Sequence, residues 1–532
     1  MRKFSSYGPV DKDLHFYVLR EALIQKAYTH LTGENPEKGG HYITVWAPRQ
    51  CGKTWAMNEV FYRLMKDERF SVLSLSVEYL KMQTDAHCIV QSLGEKIIND
   101  LKLKNISVRT PDDFHILFLK GVLGKPLILI LDEFDALPEE AVSGIAGIFR
   151  NIYNTRQKDP NPSAQKEYLL HGLALIGVRS VLGVENVKGS PFNVQRSLRI
   201  PNLTHQEVES MFRWYEQESG QEVKREVIDR VFYETQGQPG LVSWFGELLT
   251  EGYEDYLPNP EKPITAEDFE DVYTDAVDVL PNNTILNIIS KAKQEPYKHL
   301  MLELFRTREK VHFKFDDFRL NFLYMNGAVS REKDEDKKSY IRFSCPFVQK
   351  RLFNYFSHEL FYDMGSIYEP FEDVEDIVTE ATLNVKNLMR RYEKYLQKNR
   401  EWLLKEAPRR SDLKIYEAVF HFNLYEYLIR FFGSYKTKVW PEFPTGNGKV
   451  DILIEHGGVL YALEIKSYKD KPAYSQALAQ AAEYARKLNL TVIYLVVFVE
   501  YINEEYRNRY ENDYQDKESS VTVVPVFVAT GN

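Results

Sequence analysis

Short unbroken apolar runs alternate with longer amphipathic stretches along the first 280 residues. The runs HYITVWAP (41–48), FSVLSLSV (70–77), LILILD (127–132) and ALIGV (174–178) predict strands. Between them, 53–67 and 86–102 repeat their apolar residues at helical spacing. This alternation predicts a parallel sheet with crossover helices over residues 1–200. After Pro201 the strands stop, and helical patterns at 205–217, 224–235 and 240–251 predict a helical lid over 201–282. Residues 283–357 read as helices, then two short apolar strands around a charged turn (FLYMNGAVSREKDEDKKSYIRFS), then a helix from Pro346. The stretch 358–410, acidic at EDVEDIVTE and basic at RRYEKYLQKNR, reads as a helical connector with solvated faces. In 411–532 a helix (SDLKIYEAVFHFNLYEYLIRFF) precedes the strands KVDILIEHGG and VLYALEIKSY, which meet at a His-Gly-Gly turn. A helix at 474–488 and the strands TVIYLVVFV and TVVPVFVA complete a second α/β domain.

A length of 532 residues suits three or four domains of about 100–200 residues each. Hydrophobic residues at 44% and charged residues at 27% exclude a disordered or fibrous chain. The formal charge of −9 excludes a histone-like polycation, so any nucleic-acid contact has to come from a local basic patch. Cys51, Cys88 and Cys345 are too scattered for a disulfide framework or a zinc knuckle, and they suit a reducing compartment. The histidines show no metal-ligand spacing. No apolar run approaches the roughly 18 residues of a membrane span, and the N-terminus lacks the apolar core of a signal peptide. The expectation is a soluble, cytoplasmic protein with no membrane partner.

Ala47-Pro48-Arg49-Gln50-Cys51-Gly52-Lys53-Thr54 follows a predicted strand and opens a predicted helix. It matches G-x-x-x-x-G-K-[ST] with Ala in place of the first glycine. Such a loop turns amide N–H groups inward, so that a triphosphate can sit at the helix N-terminus. Lys53 is then expected at the β- and γ-phosphates of ATP, and the Thr54 hydroxyl at its magnesium. The apolar strand 127–131 ends in Asp132-Glu133, which places Asp132 toward the metal and Glu133 where it can activate the attacking water.

The loop and the Asp-Glu strand end resemble the Walker A and Walker B elements of AAA+ ATPases of the archaeal-type and STAND group. Gly237-Gln238-Pro239-Gly240 is similar to that group's Gly-x-Pro motif, which implies Pro239 near the nucleotide. Tyr17-Val18-Leu19-Arg20-Glu21 resembles its Arg-Glu box, which implies Arg20 near the adenine. Arg179 falls where the group places a sensor arginine, with Arg196 and Arg199 as alternative fingers. The resemblance covers about 15–280 and implies assembly, since a neighbouring subunit's arginine often completes such a site.

Near the C-terminus stand Lys449-Val450-Asp451 and, one hairpin later, Glu464-Ile465-Lys466. Glu464 and Lys466 share a strand face, and an antiparallel partner can bring Asp451 beside them. Two convergent carboxylates hold a hard divalent cation, magnesium or manganese, and a lysine beside them stabilises developing charge. With Glu417 on the preceding helix and Gln480-x-x-x-Tyr484 on the following one, 411–532 resembles the PD-(D/E)XK nuclease superfamily and its RecB-like branch. The resemblance implies Asp451 and Glu464 as metal ligands and Lys466, Gln480, Tyr484 and Glu417 as further active-site residues. The family's Pro before the Asp is absent, Val450 standing there.

Helices followed by a two-stranded ribbon describe a winged helix over 283–357. Ile289–Arg351 carries 15 Lys and Arg against 9 Asp and Glu, an electrostatic footprint for a phosphate backbone. Lys337, Lys338 and Arg342 fall on its wing, which could instead dock as an autoinhibitory clamp. The reading is an α/β multidomain chain: a parallel-sheet P-loop ATPase with a helical lid, a winged helix and a C-terminal PD-(D/E)XK-like nuclease fold. It implies an ATP-controlled, metal-dependent nuclease acting on DNA more than RNA, in genome defence against phage or plasmids. Two alternatives stay open, a nucleotide-controlled DNA-binding or scaffold protein with an inert nuclease fold, and a helper ATPase for DNA transposition or repair.

Overall fold

Strand–helix alternation in the N-terminal part builds a five-stranded sheet in the computed structural model. Its elements are α1 (Glu21–Thr32), β1 (Tyr42–Trp46), α2 (Lys53–Leu64), β2 (Ser71–Ser76), α3 (Ala86–Leu101), β3 (Leu127–Asp132), α4 (Glu139–Lys158), β4 (Leu170–Gly177) and β5 (Gln195–Arg199). The strands lie in the order β2-β3-β4-β1-β5, and every neighbouring pair is parallel. Alternation along β3 sends Leu127, Leu129 and Leu131 into one core and Ile128 and Ile130 into the other. Both faces are covered, which is why the strand reads as an unbroken apolar run. The pairs Trp46–Gly177 and Ser76–Asp132 align the carboxyl ends of β1, β4, β2 and β3 along one edge. β5 is a strand that the apolar pattern does not mark. It lies at the sheet edge, and four of its five residues are polar or charged.

The described residues are all except 178–194, 254–255, 307–309, 363, 365–366, 369–371, 404–416, 443–450, 517–519 and 532. They divide into two units, Met1–Lys291 with Lys314–Val329, and Ala292–Phe313 with Ser330–Asn532. The first unit continues with α5 (His205–Ser219), α6 (Arg225–Thr235), α7 (Pro239–Glu251) and α8 (Ala266–Asp278). Capping boxes of Thr204 with Glu207 and Thr265 with Asp268 start α5 and α8. Phe212, Val231, Phe245 and Phe269 are buried among these helices.

Next come α9 (Asn283–Ala292), α10 (Tyr297–Arg306), α11 (Phe318–Met325), β6 (Val329–Lys333), β7 (Ser339–Phe343) and α12 (Pro346–Phe361). The first unit takes α11 and nearly all of α9; α10, most of the β6–β7 ribbon and α12 belong to the second.

The second unit adds α13 (Val385–Leu403), α14 (Glu417–Phe431), β8 (Thr437–Glu442), β9 (Asp451–His456), β10 (Val459–Ser467), α15 (Lys471–Lys487), β11 (Val492–Val499), α16 (Glu504–Tyr510), β12 (Tyr514–Gln515) and β13 (Thr522–Ala529). Its mixed sheet has the order β12-β13-β11-β10-β9-β8. β8–β9 and β9–β10 pair antiparallel, whereas β10–β11 and β11–β13 pair parallel. Leu453, Ala462, Leu495 and Val497 pack on one face with Ala477, Ala481 and Ala485 of α15. On the other face Phe498 stacks against Phe420 of α14 at 5.3 Å. The charged stretch around α13 is no solvated rod: Leu388, Met389, Tyr392 and Leu396 are fully buried. Tyr392 donates a hydrogen bond to Asn423 of α14 at 2.8 Å. Among the described residues no helix is long and apolar enough to cross a membrane.

Candidate functional site

β1 passes the chain to α2 through Ala47–Gly52. Gln50 and Gly52 both take positive φ, 55° and 81°, so the loop turns twice within three residues. Lys53 opens α2 and is buried, and its ammonium donates to the carbonyls of Ala47 (3.0 Å) and Pro48 (3.1 Å). Asp132 continues the alternation of Ile128 and Ile130 and so faces α2. The Thr54 hydroxyl donates to Asp132 Oδ2 at 2.8 Å, and Asp132 Oδ1 accepts the Glu133 amide at 2.9 Å. Thr54 and Asp132 thus offer two adjacent hard oxygens, a donor set that fits magnesium. Glu133 is half-buried at φ 57°. Burial, and then the neighbouring Asp132 and Asp135, raise its carboxyl above the ordinary value, while Lys53 opposes them. Cys51 is buried in the loop, and burial pushes its thiol up.

Around these groups lies a cavity of about 590 Å³. Its walls include Arg49, Gln50, Gly52, Lys53 and Thr54 of the loop, Glu133, and Pro239 and Gly240 at the start of α7. Two further walls escape sequence reasoning: Ser5, Ser6 and Gly8–Val10 of the N-terminal segment, and Asn283, Thr284 and Asn287 of α9. The N-terminal segment is pinned by ion pairs from Arg2 to Glu218 (2.5 Å), Lys3 to Glu251 (2.6 Å) and Lys12 to Glu59 (2.6 Å). The Ser6 hydroxyl adds a hydrogen bond to Glu247 at 2.7 Å. No local pattern announces this wall, because Arg2, Lys3 and Ser6 find partners more than 200 residues away.

The arginines separate by position. Arg20 donates to the carbonyls of Pro201 (2.7 Å) and Asn202 (2.8 Å), so it holds the passage from sheet to lid and is not among the cavity walls. Burial lowers its pKa. Arg196 lies opposite Ile43 near the amino end of β5 and pairs with Glu34 at 2.7 Å. Arg199 lies opposite Trp46 at the carboxyl edge, its guanidinium 5.6 Å from the Trp46 ring and 5.0 Å from that of Tyr324. Arg179 lies outside the described residues.

In the second unit, β10 pairs with β9 so that Leu463 faces Ile452, and one further step sets Asp451 opposite Glu464. Asp451, Glu464 and Lys466 share the face of Leu453 and Ala462, toward α15, and are only 0%, 2% and 8% exposed. Lys466 forms an ion pair with Glu464. An ammonium among buried carboxylates marks a place where positive charge is needed, and the all-oxygen pair fits a hard cation. Among the described residues no group of three or more His, Cys, Asp or Glu gathers to hold a metal. Gln480 and Tyr484 are half-buried on α15, the helix that covers this face. Glu417 opens α14, on the opposite face, and its side chain lies outside the described residues. On the β6–β7 ribbon, expected to be a wing, Lys338 lies 3.8 Å from Asp336 and Arg342 lies 3.7 Å from Glu332, so part of the basic charge is met locally.

Residues 5–251 match the family described as an AAA-like domain, a span that runs from the cavity-lining N-terminal segment to the end of α7. Over this segment, which holds the phosphate-type loop and the Asp132-Glu133 strand end, the chain is similar to AAA-like domains. Similar solved structures include a Walker-type ATPase of Pyrococcus abyssi (12% identity, 66% of this chain and 99% of that one, TM-score 0.43). Aeropyrum pernix ORC1, solved in complex with DNA, shares 16% identity over 63% of this chain and 92% of that one (TM-score 0.32). Cdc6p of Pyrobaculum aerophilum shares 16% over 64% and 96% (TM-score 0.33). No curated protein matches the chain.

Proposed function

We propose that the AAA-like ATPase works as a nucleotide-driven switch for a divalent-metal-dependent nuclease site in the second unit, with DNA as its substrate. In the first unit Lys53 would exchange its loop carbonyls for the β- and γ-phosphates of ATP. Thr54 and Asp132 would hold the magnesium, and Glu133 would take the proton of the attacking water. In the second unit Asp451 and Glu464 would hold magnesium or manganese, while Lys466 neutralises charge developing on the phosphodiester. Lewis acidity toward phosphoryl oxygens is what a bound cation contributes at either place.

The nuclease assignment rests on one observation: two carboxylates and a lysine lie buried side by side on one sheet face, with α15 above them. Two carboxylates and a lysine sharing one buried face are a donor set that suits a hard cation, and this supports a metal site over a chance surface cluster. The basic excess of 15 Lys and Arg against 9 Asp and Glu over Ile289–Arg351 supports a nucleic-acid partner. A role in defence against phage or plasmids follows from the pairing of the two activities. The test is incubation of the whole chain with plasmid DNA, magnesium or manganese, and ATP or none. Metal-dependent cutting that changes with ATP is the expected result. No cutting of DNA or RNA under any of these conditions would favour a DNA-binding or helper ATPase with an inert second unit.

A further inference from the structure

We infer that Gln50 is the positioning residue through which occupancy of the phosphate loop is passed to the N-terminal segment, the lid and α9. The inference rests on the nucleotide reading of the cavity. Three chain segments that are remote in sequence meet on this one side chain and its own peptide. The Gln50 carbonyl accepts the Gly240 amide at 3.0 Å, which joins the loop to the start of α7. Its side-chain amide donates to the Ser6 carbonyl at 3.1 Å, and its side-chain oxygen accepts the Thr284 hydroxyl of α9. The preceding peptide does the same: the Arg49 carbonyl accepts from Gln238 at 3.1 Å.

The contact with the lid leaves no slack, because a Cβ added to Gly240 would stand 2.6 Å from Gln50 Cβ. Gln50 itself sits at φ 55°, a left-handed conformation that a non-glycine residue adopts only when its surroundings hold it. In this state two of the loop's carbonyls, those of Ala47 and Pro48, are turned toward Lys53. Phosphate binding requires the loop to present amide N–H groups and Lys53 to let go of these carbonyls. Turning those peptides also turns the peptide of Gln50, which cannot move without drawing on Ser6, Gly240 and Thr284. Nucleotide binding and the placement of the three walls are therefore coupled, and the coupling runs in both directions.

The test is amide hydrogen exchange on the full chain, with and without saturating magnesium and a non-hydrolysable ATP analogue. In the wild type, exchange at 51–55, 5–10, 240–244 and 284–288 should slow by about tenfold or more. In Gln50→Ala at a saturating analogue concentration, slowing should persist at 51–55 and fall to less than about twofold at 5–10 and 284–288. Thr284→Val should lose the response at 284–288 alone, which distinguishes a branching relay from general loosening of the fold. A Gln50→Ala protein that responds like the wild type in all segments would overturn the inference, as would Thr284→Val losing the response at 5–10. A wild type with no slowing at 51–55 would instead refute the nucleotide reading, and the relay with it. If Gln50→Ala does not fold, the Thr284→Val pattern decides.

Discussion

In the first unit, ionisable groups meet around an open cavity of about 590 Å³; in the second, Asp451, Glu464 and Lys466 lie buried in a row on a strand face. The first set is already satisfied by short-range bonds, Lys53 on two loop carbonyls and Thr54 on Asp132. Those bonds can be exchanged for a ligand's phosphates without leaving Lys53 unpaired, which suits a site that fills and empties. The second set has traded water for neighbouring charge. Its acidic residues lie beside Lys466, and two buried carboxylates on one face suit a hard cation. One arrangement suits a ligand that comes and goes, the other a resident ion, and this difference predicts that loss of the second site leaves the first working, while loss of the first silences the second only through the switch.

The sharpest way to break the comparison is a crossed pair of substitutions. Lys53→Ala should remove ATP binding and turnover, because no methyl group replaces a cation at the phosphates. Glu464→Ala should reduce DNA cleavage by at least about a hundredfold while ATP turnover continues. Both variants are to be assayed for both activities. If Glu464→Ala still cuts normally, the nuclease assignment fails, and if Lys53→Ala cuts as well as the parent, the sites survive but the switch does not.

Within the first site, Glu133→Gln should lower ATP turnover by about 10²–10⁴-fold and leave binding in place, since an amide cannot accept the water's proton. The acid limb of the pH profile sharpens this assignment. Only the ionised carboxylate is a base, and burial beside Asp132 and Asp135 raises its pKa. Turnover should therefore fall, as pH drops, at a higher pH than an ordinary glutamate near 4.3 would give. Asp135→Asn removes one of the raising charges and should move that limb to lower pH. A limb that stays fixed in Asp135→Asn would mean that another group controls it.

Much of this contrast could be read from the sequence, for definite reasons. The loop chemistry lies within eight consecutive residues, and strand parity on β3 sends Asp132 toward Thr54 without any tertiary information. The hairpin turn at Gly457-Gly458 fixes the register that sets Asp451 opposite Glu464, so that juxtaposition follows from spacing as well. The N-terminal wall of the cavity did not follow, because its ion pairs join Arg2 and Lys3 to residues more than 200 positions away. β5 was missed because an edge strand with polar side chains carries no apolar run. α13 reads as a charged connector because lysines, arginines and glutamates stand between the apolar residues that it buries and break up any apolar run. Arg20 was expected near the adenine; its bonds to Pro201 and Asn202 depend on a turn 180 residues away that no local pattern describes.

The smallest expected effect concerns the charged turn between β6 and β7, and it tests whether this ribbon draws DNA in by charge. Three cations that each neutralise a phosphate would together change the salt slope of duplex binding by about 2.7. Lys338 and Arg342 already face Asp336 and Glu332, at 3.8 and 3.7 Å, all on an exposed ribbon. Lys337, at φ 62° in the turn, has no ion pair among the described residues. Lys337→Ala should therefore reduce the slope by about one, while Lys338→Ala and Arg342→Ala each reduce it by less, because removing either cation also releases a repelling carboxylate. The measurement is duplex affinity against salt concentration for the three single variants. Equal slope losses at all three positions would show that DNA displaces the local carboxylates, and no loss at any of them would take the wing off the DNA-binding surface and leave it as a clamp.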